Sequence, residues 1–403
     1  MPVWKRNLFV CWFGMFVTNV GMSQIAPVLP LYIKHLLGVN SASTIAQLSG
    51  FAFGITYIVS AVFSPIWGQA ADKIGTKPML LRASLGMSVV IFFMGFAPNT
   101  YVLIALRLLE GAFTGYSVAC TTLIATHTSK ENAGFAMGTL STANVAGSLL
   151  GPTIGGFIVD RIGLQPVFFI TGALVFVAFV TTLLFVKESF DREDKKTIGI
   201  RQVWSSVPEK GLTVTLSITF LVISLGLFTI EPIITVYVTE LTKDTSHAAL
   251  IAGLAFSASG LANVIAAPRL GRLSDKIGAH KVILYALTAA GVLFVPQAFV
   301  TNPWQLMALR FLLGLTTGGL LPSVNTLVRK ITPASITGRV FGLTVSVAYV
   351  GVFGGSVLGG QIAGWLGIRY VFFVTSALLL LNAAWVYFKV YRRLSVGEIA
   401  GEG

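Results

Sequence analysis

Twelve apolar stretches, each near the roughly 20 residues that a helix needs to cross a hydrocarbon core, follow one another along almost the whole chain. Inside a bilayer every backbone N–H and C=O must find a partner within the protein, and stretches of this length do so as helices. Cut wherever charges, Pro/Gly/Asn clusters or polar runs interrupt, the spans cover about residues 8–33, 46–70, 79–97, 100–125, 133–159, 166–187, 212–239, 248–271, 280–299, 303–328, 336–363 and 369–390. Composition agrees: 55% of the 403 residues are hydrophobic and 11% charged, against roughly 25% charged in a soluble domain. The first stretch begins near Asn7 and lacks a small-residue cleavage site followed by polar sequence, so it reads as span 1 and not as a removable signal. An all-α integral membrane protein is expected.

The net charge of +13 has its explanation in topology. With the N-terminus in the cytoplasm, 22 of the 28 Lys and Arg fall in cytoplasmic segments, four in outer loops (Lys34, Arg161, Lys243, Arg369) and two within spans (Arg107, Arg310). The positive-inside rule then puts both termini in the cytoplasm, with the basic loops against anionic headgroups and no nucleic-acid partner. Cys11 and Cys120 both lie in apolar stretches and read as small buried hydrophobes, without a disulfide framework.

The chain repeats itself. GQAADKIGTKPMLLRA (68–83) corresponds to GRLSDKIGAHKVILYA (271–286) at an offset of 203, and LIALRLLEGAFTG (103–115) to LMALRFLLGLTTG (306–318) at the same offset. VFFITGAL (167–174) matches VFFVTSAL (371–378) at 204, and APVLPLY (26–32) faces EPIITVY (231–237) at 205. The longest polar interval, 187–211, divides the repeats, giving an N-terminal six-helix bundle (1–187), a cytoplasmic linker (188–211) and a C-terminal six-helix bundle (212–403). Two parallel six-span repeats about an axis along the membrane normal are a transporter plan, with the site between the halves near mid-membrane.

On these residues the chain resembles the major facilitator superfamily over essentially its full length, and within it the twelve-span drug/proton antiporters, nearest to Gram-positive multidrug and fluoroquinolone efflux pumps. One signature is the loop between spans 2 and 3, with Gly68, Asp72, Gly75, Lys77 and Arg82, repeated as Gly271, Asp275, Gly278 and Lys281. The resemblance implies a cytoplasmic gate here, Asp72 and Asp275 latching the halves and releasing them during the cycle. Thr76 stands where a basic residue is common in the family. A second signature is Arg107 in span 4, with Glu110 three positions on and on the same helical face. A charge in mid-membrane costs roughly 2.5–3.5 kcal/mol on insertion scales, so Arg107 should face an aqueous cavity or a partner. The third is GSLLGPTIGG (147–156) in span 5, which resembles the antiporter motif: Gly147, Gly151 and Gly155 form one stripe, followed by Gly156, with Pro152 between. Small residues at this spacing let helices approach closely and suggest an interface that slides or rocks. GVFGGSVLGG (351–360) keeps the glycines without the proline.

Of the 15 acidic residues, Glu110 and Glu231 alone lie well inside spans. Glu231 precedes Pro232, where a locally opened helix leaves carbonyls free, and carboxyl groups kept from water are those that exchange protons near neutral pH. Proton coupling is therefore expected among Glu231, Glu110, Arg107 and Arg310, with Arg310 the alternative structural partner of Glu231. Spans 1, 4, 7 and 10 and their neighbours offer a substrate cavity of Asn19, Gln24, Tyr116, Asn144, Phe228, Phe256, Asn263, Asn325 and Tyr349. Aromatics and amides without a dense charge cluster suit an amphipathic, aromatic, often cationic compound.

The sequence holds no phosphate-binding glycine-lysine loop, metal cluster or nucleophile triad, so neither an enzyme nor a cofactor is expected, and the proton gradient supplies the drive. The resemblance implies a monomeric multidrug exporter of the bacterial plasma membrane, working by alternating access. Its rivals are an exporter of narrower cargo (a sugar, siderophore or lipid-linked molecule) and a membrane sensor that does not transport.

Overall fold

The computed structural model describes residues 2–38, 41–188, 207–242, 247–333 and 337–392. Most of the expected linker, and the tail from residue 393, lie outside the described residues. Among those described, twelve helices are long and apolar enough to span a membrane: Val3–Leu36, Ala42–Ile74, Thr76–Met94, Thr100–His127, Glu131–Ile162, Leu164–Phe185, Lys210–Leu241, Ala248–Ile277, Ala279–Gln297, Pro303–Arg329, Gly342–Trp365 and Ile368–Tyr391, here spans 1 to 12. Several run well past the expected ends, because polar and charged turns such as GQAADKI continue the helix beyond the apolar segment.

The duplication is reproduced in several matching contacts. Gly75 and Gly278, 203 apart, both take positive φ (94° and 95°) and turn span 2 into 3 and span 8 into 9, a geometry that favours glycine. Asn99 and Asn302, also 203 apart, cap spans 4 and 10 by accepting the N–H of Val102 (3.0 Å) and Gln305 (2.9 Å). Tyr32 donates to the Met94 carbonyl at 2.8 Å, and Tyr237 to that of Gln297 at 3.0 Å. Ser88 donates to the Gly172 carbonyl, and in the other half the roles reverse, Ser376 donating to that of Gly291.

Span 3 packs on span 6 and span 9 on span 12, span 1 on span 5 and span 7 on span 11, while spans 2 with 11 and 5 with 8 join the halves. Three spans are broken in mid-membrane: span 4 after Phe113, span 7 after Phe228 with a 3₁₀ turn at Glu231–Ile233, and span 10 after Thr317. The face carrying the start of span 1 and the turn between spans 2 and 3 is called proximal below, the opposite face distal.

The glycine-rich segments show how the halves meet. A β-carbon on Gly147, Gly151 or Gly155 would strike Asn19, Ser23 or Gln24 of span 1. One on Gly351, Gly355 or Gly359 would strike Leu221, Leu225 or Thr229 of span 7. These stripes are thus close-packing surfaces inside each half. The surface between the halves is the neighbouring face: Gly156 abuts Ala249 of span 8, Gly253 abuts Pro152, and Gly50 and Gly360 bring spans 2 and 11 together. Hydroxyls stitch the same seam, Thr153 and Ser257 at 2.7 Å, Ser257 donating to the Leu149 carbonyl at 2.6 Å, and Ser43 to that of Gly364 at 2.7 Å.

All these cross-contacts lie towards the distal face, where His247 and Asp160 also pair at 3.2 Å. On the proximal parts of the same four spans, a β-carbon at Gly68, Gly134, Gly138, Gly271 or Gly342 would meet open space. The halves touch distally and part proximally.

Candidate functional site

Between the halves lies a cavity of about 300 Å³ whose walls include Thr18, Asn19 and Met22 of span 1, Tyr57 and Ser60 of span 2, Tyr116 and Ser117 of span 4, Asn144 of span 5 and Tyr349 of span 11. Ser60, Thr114, Gly115, Val118 and Tyr349 also line a second cavity of about 270 Å³, which runs past Trp67 and Asp72 to Thr76 on the proximal side. The central space therefore opens proximally. Among the described residues no carboxylate or ammonium group lines it, so its chemistry is that of amides, hydroxyls and aromatic faces.

Of the nine expected cavity residues, Asn19, Tyr116, Asn144 and Tyr349 line this space. Tyr116 forms its back wall: the ring seats against Gly14, where a side chain would collide with it, and the hydroxyl lies 2.9 Å from that of Thr182. Phe228 enters through an aromatic cluster that crosses between the halves, with Phe53 at 6.2 Å, Tyr57 at 6.0 Å, and Tyr57 to Tyr349 at 5.8 Å between ring centroids. The other four do not line the space. Gln24 is buried within the N-terminal half, hydrogen-bonded to Thr171. Phe256 packs into the hydrophobic cores of both halves. Asn263 accepts from Thr317 at 3.0 Å within the C-terminal half, and Asn325 sits part-exposed on the proximal segment of span 10. Spans 7 and 10 thus contribute less than equal spacing around the repeat suggests, because Tyr349 of span 11 and the aromatic cluster fill the C-terminal wall.

Arg107 and Glu110 are fully buried and joined by an ion pair, away from the cavity. Arg107 further donates to the carbonyls of Ala52 (3.2 Å) and Phe53 (3.4 Å) on span 2, while Glu110 Oε1 has no hydrogen-bond partner among the described residues. Span 2 comes this near because position 111 is glycine; a β-carbon there would strike the Thr56 carbonyl. Arg310 occupies the equivalent place in the second half, with Leu313 where Glu110 would be. It is buried, its Nε and Nη2 lack hydrogen-bond partners, and the charge acting on it is that of Glu231, at the break in span 7. Each half thus buries one arginine and holds one acid in mid-span, Glu110 fully buried and Glu231 half-buried, and the two halves take the acid from different spans. Among the described residues Glu231 and Arg310 attract through space without forming an ion pair.

The gate residues divide in two. Asp72 is exposed on the proximal cavity, and among the described residues neither it nor Asp275 bridges the halves, which stand apart here. The remainder ties the turn to its own half: the backbone N–H groups of Thr76 and Lys77 donate to Glu188 at 2.8 and 2.7 Å, and Lys77 Nζ donates to the Val186 carbonyl at 2.7 Å. A carboxylate at the start of span 3 and an ammonium at the end of span 6 satisfy both helix dipoles.

Sequence reasoning missed Tyr57, Ser60 and Trp67. A signal existed: Ser60, Ser64, Trp67 and Ala71 recur at three- and four-residue spacing, a small and polar stripe on one face of an otherwise apolar span 2. Tyr57 is the point of contact between regions, since it lines the cavity, packs at a tilt against Phe228 and Tyr349, and feels the charges of Glu231, Arg107 and Glu110.

Comparison with known proteins agrees with this architecture. The human organic anion transporter MFSD10 superposes with a TM-score of 0.71 at 16% identity, and the nucleoside transporter NupG, in a mutant form, with 0.74 at 13%, each over 96% of this chain and 100% of the other. The multidrug resistance protein MdtG of Serratia proteamaculans is 42% identical over 391 residues, 97% of this chain and 95% of that protein. MdtG of Proteus mirabilis is 41% identical over 394 residues, 97% and 98%. The family model of the Major Facilitator Superfamily matches residues 11–244 and again 216–403. Twelve spans in two repeats around one central cavity, and sequence likeness over nearly its whole length, place this chain in the major facilitator superfamily.

Proposed function

We propose that the protein is a multidrug efflux transporter which takes amphipathic aromatic compounds, cationic dyes and fluoroquinolones among them, from the cytoplasmic side and exports them in exchange for protons. The observation that carries this is the central cavity of amides, hydroxyls and tyrosines opening to the proximal face, in a chain 42% identical to proteins named for multidrug resistance. The proximal face bears the basic loops, which supports placing it and both termini in the cytoplasm of a bacterial plasma membrane. The working unit is a monomer without a cofactor.

The two mid-span acids are the proton carriers in this reading. Glu231 lies at an opened turn of span 7 and Glu110 leaves one oxygen without a partner. Protonation of Glu231 frees Arg310, and drug in the cavity presses on Tyr57 and Phe228, so that occupancy and protonation bias the same rocking of the halves. A membrane potential of 100 mV supplies about 2.3 kcal/mol per charge moved. A cavity without a carboxylate also admits a neutral cargo, such as a narrower sugar or lipid-linked substrate.

The test is uptake by proteoliposomes of a fluorescent cationic dye and of a fluoroquinolone, with and without an imposed pH gradient, for the parent protein, Glu231→Gln and Glu110→Gln. Gradient-driven accumulation of both compounds, lost in Glu231→Gln, is expected. Accumulation that ignores the gradient removes proton exchange from the reading, and failure to accumulate either compound removes multidrug export.

A further inference from the structure

Span 4 is interrupted at Thr114–Gly115, between helices Thr100–Phe113 and Tyr116–His127, with Gly115 at φ +116°. Such an interruption strips carbonyls of their helical partners at a depth where unsatisfied groups are costly. Here side chains of spans 2 and 3 take those carbonyls. Trp67 Nε1 donates to Ala112 O at 2.8 Å, and Ser60 Oγ, 2.8 Å from Thr114 Oγ1, shares its one proton between Thr56 O at 2.7 Å and Gly111 O at 3.2 Å. Arg82 donates through Nη1 to Ala112 O at 3.2 Å and through Nη2 to Thr114 O at 3.0 Å. The Arg82 guanidinium lies over the Trp67 ring, its Cζ 3.8 Å from the centroid, so each holds the other in place.

The second half lacks this arrangement. Span 10 breaks at the matching place, but Ser60, Trp67 and Arg82 correspond to Asn263, Leu270 and Tyr285, and neither glycine at that break takes positive φ. The clamped break lies where the two cavities join: Ser60, Thr114 and Gly115 line both, and Trp67 and Arg82 line the proximal one.

We propose that Ser60, Trp67 and Arg82 are positioning residues that hold span 4 broken at Thr114–Gly115 and thereby keep the central cavity in communication with the proximal face. Without them the cheapest partners for the Ala112 and Thr114 carbonyls are the N–H groups of Tyr116 and Val118, which means a straight helix and a remade junction. The resemblance placed Arg82 in the gate loop beside the Asp72 latch; among the described residues its contacts lie within the N-terminal half.

The proposal takes from the transport reading only the purpose of the passage, and its test requires no transport. In full-length protein carrying Cys11→Ala and Cys120→Ala, reconstituted in nanodiscs, Ser117→Cys reports on the central cavity and Lys73→Cys on the exposed proximal turn. Labelling by a membrane-impermeant maleimide is followed in time. Arg82→Ala is expected to slow labelling at the Ser117→Cys reporter about tenfold, the shift that follows from stranding one buried hydrogen-bonded group. Labelling at Lys73→Cys stays unchanged, Arg82→Lys recovers part of the rate, and Gly115→Ala slows it in the same direction. Should Arg82→Ala not yield a monodisperse protein, Trp67→Phe removes one hydrogen bond, keeps the ring under Arg82, and slows labelling less. Unchanged labelling at Ser117→Cys in these variants overturns the proposal, as does equal slowing at both reporters. Normal clamp behaviour in a protein that moves no drug counts against the transport reading alone.

Discussion

Arg107 and Arg310 occupy one position of a duplicated sequence, yet each has its own electrostatic solution: Glu110 on the next turn for the first, Glu231 from another span for the second. Removing one member of a buried pair leaves a stranded charge, at a cost of roughly 3–5 kcal/mol, whereas replacing both with apolar groups is often neutral. Arg107→Leu alone is therefore expected to lower thermal stability in detergent sharply, and the double variant Arg107→Leu/Glu110→Leu to regain most of it. A double variant no more stable than the single one would show that Arg107 is held by its carbonyl contacts to Ala52 and Phe53 instead. Tyr57 makes a different prediction. Tyr57→Ala opens the aromatic cluster and should weaken dye binding roughly tenfold, while Tyr57→Phe keeps the ring contacts and most of the affinity, read by fluorescence titration.

The glycine-rich spans carry two messages on adjacent faces. Gly151 faces span 1 and Gly156 faces span 8, so substitutions five residues apart should fail in different ways. Gly151→Val overpacks the N-terminal half and is expected to cost about 1–3 kcal/mol of stability, seen as a lowered melting temperature. Gly156→Val wedges the distal seam at Ala249 and should leave the fold intact while shifting the population towards proximal closure, seen as slower labelling of the Ser117→Cys reporter. The motif was legible as a close-packing element from its spacing alone. Which face meets which partner was not, because three and four residues of helix turn a stripe by only a fraction of a revolution, and both faces are rich in small residues.

For the whole molecule, the seam between spans 2 and 11 and between spans 5 and 8 is closed distally and open proximally. Alternating access requires that this closure be temporary. A short bifunctional thiol reagent joining Ser43→Cys to Gly364→Cys, across the contact now made by the Ser43 hydroxyl, should stop drug accumulation and leave dye binding from the proximal side intact. Release of the link by a reducible version of the reagent should restore transport. Transport that continues with the link in place would mean that the distal seam need not open. In the duplicated plan the clamp at the span 4 break is confined to the N-terminal half, so the two halves are unequal partners in whatever motion follows.

The sequence alone determined the number of spans, the twofold repeat, the fold class and the family resemblance, because hydropathy over 20 residues and a self-match over 200 are properties of the chain that no neighbour can alter. It also marked Arg107 with Glu110, and the opening of span 7 at Glu231–Pro232, since an ion pair three residues apart and a proline break are local. Tertiary structure decided the rest. Phe256, Asn263 and Gln24 have side chains suited to a cavity but face packed neighbours, and Tyr57 and Trp67 look like ordinary apolar residues until their partners from spans 3, 4, 7 and 11 are in place. Orientation about a helix axis in a membrane is set by packing against other helices, and a chain that is apolar all round carries little record of it.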